Sequence, residues 1–236
     1  MTTDPLERPV WNCLTGPQAK LARGGPLARR LDPAFGPFAA AVDAGDEAQD
    51  ALAALLRHDD DWMLVIEPDS WPAPAGLRVA ETVRLVQMIR DTEPALAASS
   101  DATPAVLLGA DDVPAMRALV AATEPGPWAD STHCFGDFFG IYDSGGDAAG
   151  DLVAMAGERF RPAAGLTELS GVCTAASARG RGLAARVIER VVDGMAARGE
   201  TAFLHCRADN TGAIRLYHAL GFTVSREMVA TAFARG

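Results

Sequence analysis

The sequence predicts an α/β fold of the α+β kind, and three observations carry that reading. Strand-like and helix-like segments alternate through the second half of the chain. A glycine-bearing loop, Arg179-Gly180-Arg181-Gly182-Leu183-Ala184, joins a strand pattern over Leu166–Thr174 to an amphipathic helix pattern over 183–198. The length of 236 residues, 49% hydrophobic and 22% charged, suffices for a real core.

In chain order, 46–56 reads as a short Ala/Leu helix and 62–66 as a buried strand, followed by a Pro/Gly turn at 71–76. Residues 79–88 carry apolar positions at both spacings and are taken as strand. The Ala-, Ser- and Asp-rich 94–104 reads as a linker. It suggests two domains, 1–100 and 101–236. Beyond it, 105–108 is a short strand, and Asp111-Asp112 is placed to cap a helix running to 122. Phe138–Tyr142 is a strand and 144–147 a turn cluster. Two antiparallel strands follow, 152–160 and Leu166–Thr174. The helix after the glycine loop has Leu183, Val187, Ile188, Val191, Val192 and Met195 on one side, and Gly199 just past its end. Then come a strand at 202–206, a helix at 210–220 stopped by Gly221, and a strand at 222–234.

Composition narrows the function classes. A formal net charge of −10 argues against nucleic acid as a partner, because phosphate backbones require basic faces. Arg179 and Arg181 stand out as a basic cluster on this acidic background. No apolar run is long enough to cross a bilayer, and the first residues lack the basic-then-apolar order of a secretory signal. A cytoplasmic protein without membrane contact is expected. Cys13, Cys134, Cys173 and Cys206 show no metal-ligand spacing, so packed thiols and no metal are expected.

A glycine loop entering a helix leaves backbone N–H groups unpaired at the positive end of the helix dipole, which is a recipe for holding phosphate. A Walker A loop is excluded, since no Lys-Ser/Thr pair closes it. Gly180-x-Gly182-x-x-Ala185 matches a relaxed dinucleotide fingerprint, but five residues separate Gly180 from the strand and Glu200 falls before the next strand. Alone, the loop is equally a Gly-rich turn with surface arginines.

The downstream segment from Asn210 to Phe222 reads N-x-x-A-x-x-x-Y-x-x-x-G-F. Together with R-x-x-G-x-A at 179–184, it resembles the GNAT superfamily of acyl-CoA-dependent N-acyltransferases over about 104–236. Within that superfamily it is most similar to the glycine N-acyltransferase-like branch. The resemblance implies a mixed twisted sheet flanked by helices, with a cleft between two splayed strands. It admits the N-terminal region as a degenerate GNAT-like half. It implies acetyl-CoA, or another short acyl-CoA, as co-substrate and a small-molecule, peptide or protein amine as acceptor. A homodimer is compatible with it.

Residue by residue, the resemblance places the cofactor pyrophosphate on Arg179, Gly180, Arg181, Gly182, Leu183 and Ala184. It pairs the pantetheine arm with the backbone of Val172, Cys173 and Thr174, and sets Asn210 near the same arm. Tyr217 matches the usual general acid and Glu168 a general base. The chemistry is consistent: a carboxylate can take the ammonium proton and a phenol can protonate a departing thiolate. Plainer readings stand beside each. Tyr217 fits an amphipathic core position, Glu168 a solvated strand carboxylate, and Asn210 a helix cap. His205 is a second base candidate or a satisfied structural histidine. Trp128 and the aromatics of 135–139 suit an acceptor wall or ordinary core. The expected activity is transfer of an acetyl or short acyl group to a primary amine by direct attack. The alternative is a non-catalytic acyl-CoA-binding regulatory module.

Overall fold

The computed structural model describes residues 4–58, 61–91, 104–143 and 150–236. Helix α1 (Pro9–Thr15) opens on a proline whose fixed φ suits a first helical turn. Three short strands, β1 (Ala22–Gly24), β2 (Ala28–Leu31) and β3 (Ala39–Ala41), form a small antiparallel sheet. Helix α2 (Asp46–Ala53) carries Asp46 and Glu47 in its first turn, where they complement the helix dipole. Strands β4 (Trp62–Glu67) and β5 (Leu77–Arg90) follow.

After β6 (Val106–Leu107) come α3 (Val113–Thr123), β7 (Phe138–Tyr142), β8 (Leu152–Glu158) and β9 (Leu166–Thr174). Helix α4 (Leu183–Ala197), strand β10 (Thr201–Arg207), helix α5 (Thr211–Ala219) and strand β11 (Phe222–Arg235) complete the chain.

Eight strands make one mixed sheet in the order β4-β11-β5-β10-β9-β8-β7-β6. Its β9–β10 pair is parallel, and the others are antiparallel. Strand β5 lies between β10 and β11, so the first hundred residues and the remainder share this sheet. The expected linker at 94–104 and turn at 144–147 lie almost wholly outside the described residues. Strand β5 extends beyond the expected 79–88 at both ends. Its mixed apolar spacing reflects a strand buried at Leu85 and Met88 but exposed from Arg78 to Thr82.

Two layers cover the sheet. Val187, Ile188, Val191, Val192 and Met195 of α4 pack with Leu169, Leu204, Tyr217 and Phe222. Val10, Cys13 and Leu14 of α1 pack with Phe38, Ile66, Leu85, Phe160, Phe203 and Met228. At about 25 cal/mol per Å² of apolar surface removed from water, such burial is the main stabilising contribution. Neither α1 nor the small sheet was anticipated from the sequence. Their segments are too short to display a period.

The expected cap of α3 takes another form. Asp112 accepts from the Gly109 N–H at 2.7 Å and from the Tyr142 hydroxyl at 2.5 Å, while a 3₁₀ turn over Ala110–Asp112 leads into the helix. The carboxylate thus ties the start of α3 to the end of β7.

Candidate active site

The site begins where two strands part. Strands β9 and β10 pair at Leu166/Thr201, Thr167/Ala202 and Glu168/Phe203, and no further. Beyond that point β9 follows β8 while β10 follows β5, leaving a cleft in the middle of the sheet. Along β9 the register against β8 slips between Ser170/Gly157 and Cys173/Met155. Gly171 and Val172 bulge there, and Gly171 adopts φ +62°, which a side chain would strain. A Cβ on Gly171 would stand 3.0 Å from Phe138 and 3.3 Å from Trp128, so these two aromatics flank the bulge. Phe135 instead packs on Phe35 and Phe160, and Phe139 lies under Arg190, both ordinary core positions.

The antiparallel alternation decides which backbone groups face the cleft. Ala175 donates to the Val153 carbonyl at 2.8 Å, so by alternation Cys173 also bonds to β8. Thr174 turns its carbonyl away from β8, and Arg179 Nε approaches it at 3.4 Å. Of the three expected backbone positions, Val172 and Thr174 border the open edge and Cys173 does not. The Cys173 thiol is buried against Met155, and burial pushes its pKa up to about 11.

At the open end of the cleft stands the start of α4. Gly180 and Gly182 adopt φ +77° and +74°, and Gly182 is the N-cap. No side chain among the described residues caps this helix, and no acidic residue occupies its first turn. Its first intrahelical bond is Arg186 N–H to the Gly182 carbonyl at 3.4 Å. The N–H groups of Leu183, Ala184 and Ala185 therefore have no intrahelical partner. Added Cβ atoms on Gly180 or Gly182 would meet nothing within 4 Å, so backbone conformation requires these glycines rather than crowding. Thr174, Arg179, Gly180, Leu183 and Leu216 border a cavity of about 230 Å³. Orphan donors, the positive helix end and the exposed Arg179 fit a diphosphate. Arg181 is paired with Asp143 at 2.8 Å.

Tyr217 projects from α5 into the core beside the cleft, edge-on to Phe222 at 5.9 Å. It is 8% exposed, and its hydroxyl makes no hydrogen bond to a described residue. Burial, with a smaller contribution from Cys206, raises its pKa and keeps the phenol protonated. Asn210 accepts from the Ala213 N–H at 3.1 Å and caps α5, so the capping role weighed in the sequence is present.

Glu168 sits elsewhere than an open base would. Its side chain is fully buried, with Oε2 2.8 Å from Arg159 Nε and Oε1 2.8 Å from His205 Nδ1. Burial alone would raise its pKa, but Arg159 and His205 outweigh that and hold it near 2. Arg159 and His205 thus join Glu168 from separate elements, with Gln87 Nε2 of β5 3.1 Å from His205 Nε2, a convergence without a local sequence signal. His133 and Cys134 lie 3.3 Å apart, and no group of metal ligands occurs among the described residues.

Comparison with known proteins decides the family. A crystal structure assigned as a GNAT-family acetyltransferase from Novosphingobium aromaticivorans DSM 12444 is 50% identical. The match covers 99% of this chain and 100% of that one, with a TM-score of 0.89. The chain belongs to the GNAT family. It is thus a GNAT-type acetyltransferase, and the family implies acyl transfer from an acyl-CoA. The FR47-like protein family model matches residues 140–230, which contain the splayed strands, α4 and α5. Two more distant structures share the GNAT fold. A GCN5-related N-acetyltransferase from Kribbella flavida is 20% identical, covering 96% of this chain and 93% of that one at a TM-score of 0.65. One from Sphaerobacter thermophilus is 15% identical, covering 98% and 93% at 0.54. No curated protein matches the chain. No described helix is long and apolar enough to cross a membrane.

Proposed function

We propose that this GNAT protein transfers an acetyl or similarly short acyl group from coenzyme A to a primary amine by direct attack. The observation that carries the reading is the cleft itself. It opens on an uncapped helix start at one end and is bordered by a buried, protonated phenol. Arg179 and the loop through Ala184, with Arg181 once released from Asp143, would hold the diphosphate. The free edge at Val172 and Thr174 would add the pantetheine arm as an extra strand. Asn210 borders the same arm. The motif spacing supports a place near the glycine N-acyltransferase-like branch, and residues 1–100 are assigned to shaping the acceptor side.

The co-substrate supplies an activated thioester carbonyl. The amine attacks it as the neutral base, the C–S bond breaks as Tyr217 gives its proton to the departing thiolate, and the proton shed by the new amide nitrogen restores the phenol directly or through water. Holding both reactants in one cleft supplies much of the rate. Glu168 is committed to Arg159 and His205, so the acceptor's own ionisation sets the pH dependence. Isothermal titration with acetyl-CoA and an amine screen reading thiol release test this. Absence of saturable binding overturns it. Binding without turnover on any amine selects the regulatory-module reading, which the engagement of Glu168 favours.

A further inference from the structure

Where the backbone ladder between β9 and β10 ends, a side-chain bridge continues it. Glu168 belongs to the last pair, and His205 lies two residues beyond that pair on β10. Their 2.8 Å contact therefore spans the first open step of the cleft. Behind Glu168 stands Arg159, whose guanidinium lies over Phe38 at 4.7 Å and Phe160 at 5.1 Å. Behind His205 stands Gln87, fully buried on β5.

Hydrogen-bond direction fixes the row. Gln87 Nε2 donates to the Leu6 carbonyl at 2.9 Å and stands 3.1 Å from His205 Nε2. A flipped amide would turn oxygen toward the Leu6 oxygen, so Nε2 must face both partners. His205 Nε2 is then an acceptor, and Nδ1 carries the proton shared with Glu168. The chain runs Leu6 carbonyl, Gln87, His205, Glu168, Arg159, every link oriented. Gln87 Oε1 is left buried without a partner. On the opposite face the same step is walled by Leu169, Leu204 and Tyr217 within the α4–α5 core.

We propose that the Glu168–His205 bridge, held by Arg159 and Gln87, is the end stop of the cleft and restricts the acyl group to a few carbons. The inference rests on the reading of the cleft as an acyl-CoA site. An arm paired with Val172 and Thr174 advances toward the vertex and brings its acyl end against this row. A longer aliphatic tail has to enter the packed core or separate a buried carboxylate from its partners. Either is strongly unfavourable. A two-carbon group needs neither. Glu168 and His205 are thus positioning residues that set length specificity.

The test compares kcat/KM for acetyl-, butyryl- and hexanoyl-CoA with one amine acceptor. The wild-type protein should prefer acetyl over hexanoyl by at least about a hundredfold. His205→Ala leaves Glu168 paired with Arg159 but opens the vertex, and should raise the butyryl-to-acetyl ratio about tenfold. His205→Asn, which keeps a short donor, should restore much of the preference. Thermal melts check that the variants fold. A ratio unchanged in a folded His205→Ala overturns the stop. A flat wild-type profile overturns it without any variant. Failure of every acyl-CoA to bind overturns the cleft reading itself.

Discussion

The two ends of β9 are built to opposite rules. From Leu166 to Glu168 the strand is paired with β10, Glu168 also exchanges backbone bonds with Arg159 and Phe160, and its carboxylate is sealed among donors. From Gly171 to Thr174 it is bulged and bare on the β10 side, and it leads to a helix whose first N–H groups lack intrahelical partners. The Glu168 carboxylate has donors at the closed end, whereas the first N–H groups of α4 lack intrahelical partners at the open end. A protein tolerates unsatisfied backbone only where water or a ligand reaches it. The contrast therefore separates a sealed end from an open edge along nine residues of one strand.

The sharpest way to break that contrast is at the closed end. Arg159→Leu leaves Glu168 buried with its main counter-charge gone and should cost about 3–5 kcal/mol, read by urea unfolding. An unchanged midpoint would mean that the ion pair is no anchor. Next is Tyr217→Phe, expected to lower kcat about a hundredfold while acetyl-CoA affinity stays near wild type. Equal kcat across pH would remove the phenol from the chemistry.

Titration gives a third measurement. The Glu168 pKa lies below its ordinary value, so its ionised form stabilises the fold above about pH 4.5, and that contribution is lost as pH falls toward 2. In Glu168→Gln, stability between pH 2 and 4.5 should vary less steeply than in wild type. Parallel curves would show that the carboxylate is not held low. Two smaller effects sharpen the open end. Gly182→Ala forces a Cβ into φ +74° at a cost of about 1–2 kcal/mol, and should weaken coenzyme A binding in proportion. Asn210→Ala should lower the melting temperature through a lost cap worth about 1 kcal/mol. If coenzyme A affinity instead falls tenfold with no change in melting, Asn210 is chiefly a ligand contact.

Much of the open end was legible in sequence because it is local. Leu166–Thr174 is the strand expected, α4 departs from its expected span by one residue, and Gly180, Gly182 and Gly199 all adopt positive φ. The closed end was not legible. Gln87, Arg159, Glu168 and His205 come from β5, the β8–β9 connection, β9 and β10, and nothing in their spacing announces that they meet. Glu168 stands between Thr167 and Leu169, a mixed setting that fits a solvated strand residue equally well, and the layer carrying Phe38 and Phe160 seals it. The place of β5 was hidden for the same reason. A strand reads as a strand from its own residues, whereas its neighbours in the sheet are set by the whole chain.

That place has a consequence for synthesis. The partners of β5 on both sides, β10 and β11, emerge from the ribosome more than a hundred residues after it. For that interval its two edges are bare, and at roughly 5–20 residues per second the wait lasts several seconds or more. Exposed strand edges are templates for pairing with other chains. Arg78, Glu81 and Arg84 put charge along this strand while it waits. Those charges oppose edge-to-edge pairing of β5 until β10 and β11 cover it.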